Sequence, residues 1–156
     1  MKGQARRHMA LCLCLLSLLL AFIWGNSLLD SETSASISGW VADFLGKLFP
    51  GEHSTHQGHG LLRKAAHFLE FMALGILLSR VFSLLGKEKE IKSSVLAVLL
   101  CGCLVACVDE GIQCFVPGRG PGILDVLLDL AGAGTGILLS LLGRKIKNKK
   151  QQNFGG

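Results

Sequence analysis

Residues 93–142 read SSVLAVLLCGCLVACVDEGIQCFVPGRGPGILDVLLDLAGAGTGILLSLL. Two apolar blocks, about Ser93 to Val108 and about Ile123 to Leu142, flank a short charged stretch. Each block approaches the ~20 residues that carry a helix across a ~30 Å hydrocarbon layer. Neither alternates with period two, so both read as helices and not as barrel strands. Between them, Pro117-Gly118-Arg119-Gly120-Pro121-Gly122 combines two prolines with three glycines, which forces a tight turn with Arg119 at its centre. An apolar block, a tight turn and a second apolar block predict an antiparallel pair of membrane helices.

Working outward, two more apolar blocks appear, about Met9 to Leu29 and about Ala66 to Leu85. The 156-residue chain is half hydrophobic and only 17% charged, against about 25% in soluble domains. Its mean hydropathy is +0.50. These values exclude a disordered chain, a collagen and a small soluble core. Met9–Leu29 has the basic start of a signal peptide. A cleavage site after Ser34-Ala35-Ser36 would lie far beyond the apolar core, so the block reads as a retained span. The third block is the shortest and has to draw its polar end into the membrane. Five of the six cysteines lie inside apolar runs and no C-x-x-C occurs, which removes zinc-ribbon and thioredoxin readings.

Lys and Arg set the orientation. Lys2, Arg6 and Arg7, then Arg80, Lys87, Lys89 and Lys92, then Arg144, Lys145, Lys147, Lys149 and Lys150 fall on one side of four helices. They hold twelve of the sixteen basic residues; Lys47, Arg63, Lys64 and Arg119 fall on the other side. The fold class predicted is an all-α membrane protein with four transmembrane helices, a short outer interfacial amphipathic helix and both termini cytoplasmic. Residues 1–143 form the transmembrane domain and 144–156 a basic cytoplasmic tail resting on anionic lipid. The net charge of +5 follows from this topology, so no nucleic-acid partner is implied.

On the outer segment, Ile37, Trp40, Val41, Phe44, Leu45 and Leu48 share one helix face. Ser36 is the expected N-cap, and Phe49-Pro50-Gly51 the expected stop. With Trp40 on the apolar face, this helix is expected to lie on the outer leaflet or over the bundle. His53, His56 and His59 recur every three residues among Ser, Thr, Gln and Gly, and read as solvated loop histidines.

The most informative residues are charges at the outer ends of the spans. Arg63, His67 and Glu70 fall within about 60° on one helix face at ~100° per residue, with Lys64 beside them. Gly102, Ala106, Asp109 and Gln113 share a face of the third span, with Glu110 adjacent. Asp125, Asp129, Gly132 and Gly136 share a face of the fourth, where Gly132-x3-Gly136 is a small-x3-small pattern that admits another helix closely. A carboxylate at the bilayer centre costs about 2.5–3.5 kcal/mol on insertion scales. The five acids Glu70, Asp109, Glu110, Asp125 and Asp129 therefore need partners, with Arg63, Lys64, His67 and Arg119 available.

At these residues the chain resembles the VanZ-like family of small bacterial membrane proteins. The resemblance rests on a basic-x3-His-x2-Glu-aromatic start (Arg63, Lys64, His67, Glu70, Phe71). A second, longer motif follows in Asp109, Glu110, Gln113, Phe115, Pro117, Gly118, Arg119, Asp125, Asp129 and Gly132. It covers roughly residues 8–142. Asp129 stands where that family usually has Asn, which puts in doubt any role needing a neutral amide there. The resemblance implies a cell-membrane location and, through the founding member, an association with teicoplanin resistance. It brings no accepted reaction.

Two functional readings follow, besides a polar network that only fixes helix register. The first is an envelope protein whose outer-leaflet site binds an amphiphile: a lipid headgroup, a lipid-linked wall precursor or a teicoplanin-like glycopeptide. Its ligand-binding residues are Arg63, Lys64, His67, Glu70, Asp109, Glu110, Gln113, Arg119, Asp125 and Asp129. The alternative is an intramembrane hydrolase or transferase acting on a lipid or lipid-linked sugar. There Glu70 or His67 would be the base, Asp109 and Glu110 the acid or metal ligands, and Arg119 the electrophilic clamp. Transport fits less well, because the inner halves of the spans offer no polar path. No resident metal or cofactor is assigned.

Overall fold

The computed structural model describes residues 2–48, 56–85, 91–120 and 122–154. Among them it has five helices and no strand: α1 (Lys2–Ser27), α2 (Ser31–Leu48), α3 (His56–Leu84), α4 (Ile91–Gln113) and α5 (Ile123–Phe154). Four contain segments long and apolar enough to cross a membrane: Gly3–Ser27, Gly60–Leu84, Ser94–Gln113 and Ile123–Gln152.

The centre of the bundle is the α3–α5 contact, and glycine makes it. A Cβ on Gly132 would run into the Phe68 carbonyl of α3, and one on Gly136 into the Met72 carbonyl. In return, a Cβ on Gly75 would strike the Ala133 carbonyl of α5. The small-x3-small face expected on the fourth span is thus answered by a glycine on the second. Two backbones approach within the reach of a missing methyl, which maximises dispersion contact where apolar burial gives little drive. Around this seam lie Ile23, Phe71, Leu74, Val98, Ala106 and Ile137, all buried. Leu11, Leu18 and Phe22 of α1, Leu100 and Leu104 of α4, and Leu127 and Leu138 of α5 remain exposed. That is an outward apolar surface of the kind lipid covers.

The helix limits differ from expectation in four places. First, α2 begins at Ser31, and Asp30 is its N-cap in place of Ser36. Asp30 Oδ1 accepts the Thr33 N–H at 2.7 Å and Oδ2 the Thr33 hydroxyl at 3.1 Å. A carboxylate caps better than a hydroxyl because it also opposes the helix dipole. α3 begins at His56, so His56 and His59 are helical and not in a loop; His53 and the expected stop at 49–51 lie outside the described residues. α4 passes Val108 and carries Asp109, Glu110 and Gln113 within the helix, since these side chains find partners below. α5 runs through Gly143 without a break, and the basic stretch continues it to Phe154. Lys, Arg and Gln are good helix formers, so nothing there stops it.

Candidate functional site

The C-terminal ends of α1 and α4 meet the N-terminal parts of α3 and α5 at one end of the bundle. The turn over residues 114–120 sits over that junction. Arg119 N donates to Val116 O at 3.2 Å, and Gly118 has φ +73. Pro at the second position and a positive-φ Gly at the third give the signature of a type II turn. A side chain on Gly118 would also collide with the Ser31 hydroxyl at the start of α2. Glu110 Oε2 accepts the Gly122 N–H at 2.7 Å, tying the end of the turn back to α4.

Inside the junction the side chains form two connected groups. In the first, Ser27 Oγ donates to Asp109 Oδ1 at 2.6 Å and Gln113 Nε2 to Asp109 Oδ2 at 2.8 Å. Asp109 and Ser27 are fully buried. In the second, Asn26 Nδ2 donates to Glu70 Oε1 at 2.9 Å. His67 joins the two groups: its Nδ1 lies 3.8 Å from Glu70 Oε2 and 3.9 Å from Asp109 Oδ2. Asp129, 1% exposed, faces the same space from α5. At the rim, Lys64 pairs with Asp125 at 3.3 Å, both partly exposed.

All ten sequence-derived site residues are tied to one another by these bonds or by a shared cleft, and Arg63 lines both clefts. Arg119 departs from expectation. It makes no ion pair with Glu70, Asp109 or Glu110. Its Nη2 donates to Ser34 Oγ at 2.9 Å, and its Nη1 reaches the carbonyls of Asn26 and Ser27, each at 3.4 Å. Those are last-turn carbonyls of α1, of which Asn26 O also accepts the Leu29 N–H at 3.3 Å, and a cation there complements the dipole. Burial, and then Arg63, push the Arg119 pKa below its ordinary value, though not far enough to remove its charge. Its Nε is buried without a partner.

Asn26 and Ser27 are the residues that sequence reasoning underrated. From the sequence, Trp24, Asn26 and Ser27 at the outer end of the first span are candidates to cap the site, with Asn26 read rather as an interface marker; in the structure Asn26 holds Glu70. Ser27 lies 82 residues from Asp109, and no local pattern announces such a pair. The order Ser27–Asp109–His67 is not that of a nucleophilic triad, in which imidazole must touch the hydroxyl. Chemically, the site can hold an anion on Arg63, Arg119 and His67, or a cation on its carboxylates.

Two gaps open from the cluster. One, about 130 Å³, lies between α1, α2 and α3 and is lined by Arg63, His67, Arg119 and Asn26 together with Leu29, Ile37, Val41 and Leu62. A second, about 10 Å³, is lined by His67, Gln113, Asp129 and Glu110 among others. A larger open groove of about 870 Å³ lies at the opposite end, between Ser79, Val98, Ile137 and Arg144. It has no carboxylate in its lining and is separate from the cluster.

The VanZ/LLP1 family model matches residues 9–144. The chain belongs to the VanZ/LLP1 family. No curated protein and no solved structure matches it. The whole polar cluster, from Asn26 to Asp129, lies within the VanZ/LLP1 match, and the helical basic extension lies almost entirely beyond it. The family and the four apolar helices together make this a VanZ-like multi-pass membrane protein.

Proposed function

We propose that this VanZ-family protein binds the anionic headgroup of an amphiphile from the outer leaflet of a bacterial envelope membrane, and thereby modulates sensitivity to glycopeptide antibiotics. The observation that carries this reading is the cleft of about 130 Å³ between α1, α2 and α3, lined by both cationic and aliphatic side chains. Two guanidinium groups and an imidazole line it together with aliphatic side chains, the mixed lining that a headgroup with its chain requires. Guanidinium forks suit phosphate and carboxylate oxygens. Ile37, Trp40, Val41 and Phe44 of α2 are exposed beside the cleft, which supports an interfacial placement of α2 with the acyl chain alongside it. The twelve-to-four division of basic residues supports a site facing outward. A lipid-linked wall precursor, a phospholipid and a teicoplanin-like glycopeptide all offer this chemistry.

A photoactivatable polyprenyl phosphate in nanodiscs tests it. Crosslinks should map to α2 and the first turns of the α3 span, and excess teicoplanin or anionic phospholipid should reduce them. Labelling spread evenly over the exposed faces of α1 and α5 would remove the site.

A further inference from the structure

We propose that His67, Asp109 and Asp129 form a binding site for one divalent metal ion of the Zn²⁺ or Mn²⁺ type. One donor atom from each of the three lies within 4.8 Å of the others. Donors around an ion at ~2.0–2.4 Å stand about 3 to 4.5 Å apart, so only small rotamer adjustments separate these three from coordination.

A second observation is independent of this clustering. Asp129 is 1% exposed, yet its Oδ1 has no hydrogen-bond partner. His67 Nδ1 and Glu70 Oε2, 3.8 Å apart, are equally buried and equally without hydrogen bonds. Buried polar atoms are rarely left unsatisfied, and one commonly missing partner is an ion. Of these residues, His67 and Asp129 belong, with Asp109, to the group whose donor atoms lie within 4.8 Å of one another, and Glu70 adjoins it through His67. Asp109 behaves differently and in a complementary way. The Ser27 hydroxyl and the Gln113 amide each take one of its oxygens, which fixes the carboxylate's orientation and leaves further lone pairs free, as outer partners of a metal ligand do.

Charge points the same way. Glu70, Asp109 and Asp129 bring three buried carboxylates around one imidazole, while Lys64 is engaged by Asp125 at the rim. A divalent ion would offset most of that charge, whereas an imidazolium could offset only one unit. The adjoining gap of about 10 Å³, which His67 and Asp129 line, is on the scale of a single water, so it has room for a metal-bound water and not for an organic group. Among borderline ions, an imidazole with carboxylates selects Zn²⁺ or Mn²⁺ over Ca²⁺ or Mg²⁺, and the absence of a thiolate argues against a Cu(I) site. The site stands on the cluster's geometry and does not depend on the amphiphile reading.

The test uses the full chain purified in nanodiscs, stripped with EDTA, dialysed against ZnCl2 or MnCl2 and measured by elemental analysis. Wild type should retain about one ion per chain and melt at a higher temperature when loaded. Asp129→Asn and His67→Gln should each weaken retention at least tenfold, while Asp43→Asn, at an exposed carboxylate of α2, should not change it. Circular dichroism and gel filtration report whether the variants fold. Pulsed EPR of the Mn²⁺-loaded wild type should show nitrogen coupling from one imidazole, a readout that needs no variant. Retention no higher than that of empty nanodiscs, or equal retention by wild type and both folded variants, overturns the proposal. So does Mn²⁺ bound without nitrogen coupling. Melting of metal-free Asp129→Asn above wild type, with no metal effect on wild type, would instead identify a proton-sharing polar network.

Discussion

Asp30 shows how much one side chain can decide and how readily it is overlooked. It is followed by two residues and Thr33, and its carboxylate takes both the N–H and the hydroxyl of Thr33. These bonds hold its pKa below the ordinary 3.8. A depressed folded value means that the cap contributes fully above the unfolded pKa and is lost as pH falls through the folded one. Asp30→Ala should therefore speed amide hydrogen exchange over residues 31–36 at neutral pH, and the difference from wild type should shrink toward pH 3. An unchanged exchange rate at pH 7 would show that α2 is held by packing alone. The apolar periodicity beginning at Ile37 points to Ser36 as the cap and misses Asp30, because a helix can start before its apolar face does. Arg119 was legible as the centre of a braced turn. Its partners were not: two are backbone carbonyls of α1, which carry no sequence signal, and the third is the Ser34 hydroxyl of α2, far away in the chain.

Among the elements, the α3–α5 seam was half visible. Gly132 and Gly136 announce a close-packed face through their spacing, and Asp129 one turn earlier shares it. The reciprocal Gly75 sits in an apolar run where a lone glycine has several explanations. Gly132→Ala should place its methyl against the Phe68 carbonyl and destabilise the bundle by about 1–3 kcal/mol. Gly25→Ala, where nothing lies within 4 Å, should leave stability unchanged or slightly raised. Equal melting temperatures of the two in the same detergent would move the seam elsewhere. The α1–α4 contact was not legible, because α1 is apolar all round its central turns and no face of it is marked for burial. Only Asn26 and Ser27 at its end choose the partner, through Glu70 on α3 and Asp109 on α4.

For the whole molecule, four spans and their basic asymmetry follow from composition and block length, and the polar cluster collects at the end opposite most of the basic residues. In a cysteine-free background, Ser36→Cys in α2 should react with an impermeant maleimide from outside the cell, and Lys149→Cys only after permeabilisation. The reverse pattern would turn the site inward and leave its ligand to be sought in the cytoplasm. The central claim is that a guanidinium-lined cleft at this end grips an anionic headgroup, and the most direct measurement is the dissociation constant of a polyprenyl phosphate for the nanodisc-embedded protein. Lysine keeps the charge of Arg119 but lacks the planar fork that can hold two oxygens. Arg119→Lys, still folded, should bind at least tenfold more weakly, with the neutral polyprenol binding weakly to both proteins. Equal affinity of wild type and Arg119→Lys for the phosphate, or equal affinity of wild type for phosphate and alcohol, would contradict the account.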